Sequence, residues 1–156
     1  GHVVLFLHAD TRLPHHYAAH VFHTLMDRRT VLGAFRFATD IRSPAMQWIA
    51  FWTNLRSRWL QLPYGDQGLF MRRTDFWKQG GFPEVPIAED LYLVRRMRRT
   101  GRIALAPATA VTSGRRWKKV GPLRTTLINT VIAGGCLAGV PPARLAGLYR
   151  LPAGRR

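Results

Sequence analysis

Apolar and polar positions alternate with two different periods along this chain. "VVLFLH", residues 3–8, is apolar and β-branched without alternation, the pattern of a strand buried on both faces. "ADTRLP" breaks it, and "PHHYAAHVFHTLMDRR" predicts a helix with Pro14 near its first turn. In "VLGAFRFAT", Ala34, Arg36 and Ala38 alternate with Phe35 and Phe37, which predicts a strand. Ser43 and Pro44 supply the cap and first residue of a helix over "AMQWIAFWTNLRSRWL".

"QGLFMRR" predicts another short strand, then a helical turn at "TDFWKQ" that stops at Gly80-Gly81. Leu91, Val94 and Met97 recur at helical spacing, arginines fill the following turns, and Gly101 stands as the stop. "RIALAPATAVTS" predicts one or two strands interrupted by Pro107. The tail from Pro122 predicts a longer helix and, after Pro141-Pro142, a short one. Strands alternating with helices imply one α/β layered domain over 1–150, with a disordered basic tail at 151–156. A start directly on a core-type strand is expected to mean that earlier strands are missing.

Composition changes this picture in one respect. The chain has 156 residues, 24 Lys and Arg against 8 Asp and Glu, and a formal charge of +16. That charge suits a polyanion, whether an anionic membrane or nucleic acid. The basic residues are spread over the whole length, however, and no nucleic-acid motif accompanies them. The lone Cys136 excludes an internal disulfide and points to a reducing compartment. No leader pattern opens the sequence, and "LINTVIAGGCLAGV" is too short and glycine-rich for a membrane span.

With acids so scarce, their positions carry weight. Asp10 ends the first strand, where α/β sheets place ligands, and His8 lies two residues earlier on the same side of an extended chain. Asp10 suits a divalent cation, or equally the start of a turn. His16, His20 and His23 share a helix face, compatible with a metal or with a solvated surface. "YGDQG", residues 64–68, permits a tight backbone beside a ligand, or is an ordinary turn. Glu89 and Asp90 open the arginine-rich helix, where the dipole favours carboxylates whatever they do. They point about 100° apart, so one can face a cleft while the other anchors a loop. In "SGRRW", Arg115, Arg116 and Trp117 suit a diphosphate clamp with an aromatic wall, or surface cations beside a packed indole.

Order and spacing add what single motifs lack. "LFLHADTRLP", "GAFRF", "GDQGLFMRR", "GGFPE", "EDLYLVRRMRRTGRI" and "TSGRRW" together resemble the second half of a family 2 glycosyltransferase of the GT-A fold, a Rossmann-like layered sheet with flanking helices. "FLHADT", "GDQG" and "GVPPARLAGLY" are similar to a bacterial subgroup linked to arsenosugar biosynthesis and radical-SAM genes. The resemblance runs from Val3 to about Tyr149. It implies an inverting enzyme that moves a sugar from a nucleoside-diphosphate sugar to a small-molecule or lipid-linked acceptor; with Cys136, the expected place is the cytoplasm, with or without peripheral contact at the inner membrane. Asp10 would hold Mg²⁺ or Mn²⁺, with His8 standing where the family's motif has its first Asp. Asp90 would be the catalytic base, and Asp66, Gln67, Glu89, Arg116 and Trp117 would contact the donor. Ser113 departs from the Gln or Arg of processive members, which argues against a polymer synthase. The family's Asn-Glu strand and nucleotide-gripping acid do not appear, so the resemblance implies an N-terminally truncated enzyme, with both an active and an inactive chain left open. The competing expectation is a non-catalytic basic remnant that binds membrane or nucleic acid, with Trp48, Trp52 and Trp59 either at a bilayer surface or packed on the domain.

Overall fold

A computed structural model describes residues 1–149 as a mixed α/β domain; the tail expected to be disordered, 151–156, lies outside the described residues. The chain runs β1 (Val3–Phe6), β2 (Thr11–Arg12), α1 (Tyr17–Met26), β3 (Thr30–Thr39), α2 (Pro44–Trp59), a 3-10 turn (Gly65–Gln67), β4 (Leu69–Arg72), α3 (Arg73–Lys78), α4 (Glu89–Arg98), β5 (Arg102–Thr112), α5 (Arg115–Val120), α6 (Pro122–Leu137) and α7 (Pro142–Tyr149). Among the described residues, no helix is long and apolar enough to cross a membrane.

The five strands form one sheet in the order β1-β4-β3-β5-β2. β3 and β5 pair in parallel, and β4 lies antiparallel to both β1 and β3. Strands β1, β3 and β5 therefore point the same way and deliver their carboxyl ends to one end of the sheet. β1 is an edge strand among the described residues, and Val3 is exposed. Burial on both faces holds only in part: Val4 and Phe6 pack on one layer and Leu5 on the other, all partly buried, while Val3 stays exposed.

Side chains alternate across the sheet as period two requires. Leu32, Ala34, Leu69 and Met71 face one side and pack with Leu91, Val94 and Met97 of α4 and with Ile132 and Cys136 of α6. Phe35 and Phe70 face the other side and meet Val21 and Leu25 of α1. A third cluster joins Phe37 to Met46 and Ile49 of α2 and Trp117 of α5. Gly33 pairs across the strands with Phe70, and a Cβ there would lie 2.1 Å from the Phe70 ring, so only glycine leaves the ring its space.

Helix boundaries follow their local chemistry in most places. Ser43 Oγ accepts the Met46 N–H at 3.3 Å and Pro44 opens α2, as the sequence predicts. α1 starts later than expected. His16 adopts a left-handed conformation (φ 54°) immediately before it, leaving Pro14, His15 and His16 outside the helix. Pro107 does not split β5. It falls where the pairing with β3 slips, between Ala34↔Leu105 and Arg36↔Thr109, and such an irregularity tolerates a residue with no N–H to donate.

Candidate functional site

Four chain segments converge at the sheet end where β1, β3 and β5 finish. Residues 7–10 leave β1 and cross to β2, which pairs with the end of β5 on the far edge. A Ser113 N–H donated to the Asp10 carbonyl at 2.9 Å and a buried Thr11–Thr112 hydroxyl bond of 2.9 Å clamp this crossing to β5. The 3-10 turn sits just ahead of β4, the amino end of α4 lies beside that turn, and α5 follows β5. Between them opens a cleft of about 460 Å³.

His8, Asp10, Asp66, Glu89, Asp90, Arg116 and Trp117 all line it. Four of the chain's 8 acids thus face one cavity in a protein of formal charge +16. Asp10 and Asp90, eighty positions apart in sequence, share it.

Asp90 is held by its backbone surroundings. Its Oδ2 accepts the Gly65 N–H at 2.6 Å, and its Oδ1 accepts the Leu91 N–H at 2.7 Å. Each oxygen keeps a further lone pair for another partner. Gly65 keeps this point open. A Cβ would fall 2.6 Å from His8 Nε2 and 3.1 Å from Asp90 Oδ2, so the bare Cα lets the histidine and the carboxylate approach the same point. Ala88, just before Glu89, has φ 60°, a left-handed conformation that costs a non-glycine residue about 1–2 kcal/mol. This strained residue lines the cleft and turns the first residues of α4 into it.

Asp66 occupies a different environment. The residue as a whole is partly exposed, yet its Oδ1 is shut off from solvent and has no hydrogen-bond partner. Burial pushes its pKa up to about 6; Arg56 pulls it down, the Asp90 charge adds to the rise, and His8 opposes it. Arg56 underlies this corner: its guanidinium carbon lies 3.6 Å from the Tyr64 ring centre, and its Nε donates to the Leu62 carbonyl at 3.1 Å. Burial lowers the Arg56 pKa and raises that of Tyr64.

In the same cleft, burial lowers the pKa of Arg116. Trp117 is buried against Phe37 with ring centres 5.9 Å apart, and its indole N–H has no partner. "SGRRW" follows β5 directly, and Arg115, Arg116 and Trp117 open α5.

Gln67 departs from its expected role as a donor contact. It is fully buried and does not line the cleft. Its Nε2 donates to the Phe35 carbonyl at 3.0 Å, while its Oε1 accepts the Ser57 hydroxyl at 2.8 Å and the Tyr64 N–H at 3.2 Å. The amide is consumed in tying the turn to β3 and α2. The histidines of α1 form no site either. Among the described residues no group of three His, Cys, Asp or Glu side chains is placed to hold a metal.

That last finding also limits what Asp10 and His8 could bind. They fit a hard cation shared with phosphate oxygens, which takes one or two protein ligands, and they do not fit a cation caged by protein alone. Tyr64 lies in the "YGDQG" stretch, whereas two polar cleft residues, Thr112 and Asn129, were not singled out from sequence. Asn129 had a signal, being a lone amide within the apolar run of α6. Thr112 had none, because its place depends on pairing with Thr11. In comparisons with known proteins, no protein-family model matches this chain, and no curated protein matches it.

Proposed function

We propose that this domain is the metal and acceptor side of an inverting GT-A glycosyltransferase, acting on a nucleoside-diphosphate sugar and an acceptor hydroxyl. The observation that carries the reading is the convergence of Asp10, Asp90 and Arg116 on one cleft from three separate segments of the chain. The ordered resemblance to family 2 transferases supports it independently of geometry.

In this reading Asp90 removes the acceptor's proton. Its two backbone hydrogen bonds fix the carboxylate so that a remaining lone pair meets the hydroxyl. The acceptor oxygen then bonds to the anomeric carbon as the carbon–oxygen bond to the diphosphate breaks, inverting that centre. Arg116, lining the same cleft, stabilises charge on the departing diphosphate. Asp10, with His8, would hold Mg²⁺ or Mn²⁺, which when bound neutralises the same diphosphate charge. Trp117 and Ile132 give the sugar an apolar wall, and Glu89 stands at the cleft mouth beside Asp90.

The test measures nucleoside-diphosphate release from a panel of nucleoside-diphosphate sugars, with Mg²⁺ or Mn²⁺ and candidate acceptors. Asp90→Asn should lower turnover by roughly 10²–10⁴-fold while leaving donor affinity unchanged. Failure of the unaltered protein both to turn over any donor and to bind any nucleoside diphosphate would remove the reading.

A further inference from the structure

Two helices carry apolar stripes that the fold leaves uncovered. On α2, Trp48, Phe51, Trp52 and Trp59 recur at helical spacing and are exposed by 60%, 59%, 49% and 74%. Trp48 and Trp52 lie 5.7 Å apart and Phe51 and Trp52 5.6 Å, so these rings contact one another on the surface. None of them lines the cleft. On α6, Leu123, Leu127 and Val131 follow at steps of four, exposed by 80%, 63% and 48%. α2 and α6 touch each other, so the two stripes are carried by neighbouring helices.

The helices that carry and adjoin these stripes, α2, α5 and α6, are themselves free of acids, the nearest in sequence being Asp40, which accepts the Gly114 N–H ahead of α5. Exposed bases accompany them instead: Arg42 and Arg58 at the two ends of α2, Lys118 and Lys119 on α5, and Arg124 in the first turn of α6. A large exposed apolar surface is unusual unless something covers it. Indoles flanked by long cationic side chains match the boundary between acyl chains and anionic headgroups, where Trp sits at the interface and Arg and Lys reach the phosphates. α1 has smaller exposed apolar positions, Tyr17, Phe22 and Met26, and its end carries mixed charge, with Asp27 paired to Arg29 and Arg102.

We infer that the α2 and α6 faces dock the protein on an anionic lipid bilayer, with Trp48, Phe51, Trp52, Trp59, Leu123 and Leu127 inserted at the interface. The docking does not depend on the transferase reading. It does bear on the cleft, because Asn129, Ile132 and Ala133 of the same α6 form part of the cleft wall. A docked molecule therefore holds its cavity next to the membrane surface.

The experiment is co-sedimentation of the whole chain with phosphatidylcholine vesicles, with and without phosphatidylglycerol, at low and high ionic strength. Binding should require phosphatidylglycerol and weaken with salt. Trp59→Ser and Leu127→Ser should each reduce it about tenfold or more. Lys118→Gln with Lys119→Gln should cost about fivefold per charge. Trp77→Ser, on exposed α3, should change nothing. Because the replaced side chains are solvent-facing, urea midpoints should stay at the unaltered value, and if one variant fails to fold the other serves. No sedimentation with anionic vesicles would overturn the inference. So would binding that Trp59→Ser and Leu127→Ser leave intact, which would reduce it to charge alone. A concentration-dependent dimer abolished by those same substitutions would assign the surface to a second copy of the chain and overturn it equally.

Discussion

Asp90 Oδ2 and the Gly65 N–H meet at 2.6 Å across 25 residues of sequence, joining the amino end of α4 to the turn ahead of β4. His8 closes on the same glycine from the end of β1. Gly65 is thus the point at which three cleft segments touch. Its replacement by alanine introduces a methyl 2.6 Å from an imidazole nitrogen and 3.1 Å from a carboxylate oxygen. Both contacts are too short for carbon, and one neighbour must withdraw.

Gly65→Ala should therefore damage the cleft more than the fold. His8 is exposed and can swing aside, so a loss of stability of about 1–3 kcal/mol is expected. Transfer activity should fall about 10²-fold, the scale of a misplacement near 1 Å. Parallel measurement of urea midpoint and turnover separates the two effects. A variant as active as the original would show that Asp90 and His8 need not share this point.

Asp66 makes stability depend on pH with an unusual sign. Its carboxyl has a pKa of about 6 in the folded chain against 3.8 unfolded, principally through burial. The folded state thus holds the proton more tightly, and folding is penalised where Asp66 must ionise. The penalty is absent below pH ~4, grows between pH ~4 and ~6, and reaches about 3 kcal/mol above that. Asp66→Asn should raise the urea midpoint at pH 8 and lose the advantage as the pH falls to 4. An equal gain at both pH values would mean that the charge is not responsible.

The local part of the fold was legible in sequence, and the reason is visible in single residues. Ser43 and Pro44 act within one turn of α2, and Leu91, Val94 and Met97 mark a face by spacing alone, so neither needs knowledge of the rest of the chain. The acids of the cleft were legible because so few exist. What escaped were properties set by distant partners. β1 resembles a fully buried strand, but which neighbour pairs with it decides how far it is buried. His16 looks helical by periodicity, yet its left-handed backbone puts it outside α1. Gln67 lies between Asp66 and Gly68 in a stretch that reads as a ligand loop. Only the carbonyl of Phe35 and the hydroxyl of Ser57 reveal it as an internal tie.

That tie gives Gln67 a predictable cost. Removing its amide strands a buried Phe35 carbonyl and takes a partner from Ser57, besides leaving a cavity among fully buried neighbours. Gln67→Ala should destabilise the protein by about 2–5 kcal/mol by urea denaturation. If it folds at low temperature, its affinity for a nucleoside diphosphate should be unchanged. A stable variant that had lost that affinity would return Gln67 to the binding site.

Two adjacent arginines provide the sharpest contrast. Arg115 and Arg116 open α5 side by side, but helical geometry separates their directions by about 100°. Arg116 is partly buried on the cleft wall, whereas Arg115 is exposed and outside it. A charge facing a diphosphate in a partly desolvated cavity is worth more than one in free solvent, where screening flattens differences. Arg116→Ala should weaken nucleoside-diphosphate binding by about tenfold or more, and Arg115→Ala should alter it by less than about twofold. Isothermal titration at two salt concentrations reads both the affinity and its screening. Equal effects from the two substitutions would mean that the anion responds to the charge of the whole molecule and not to a site built around Arg116.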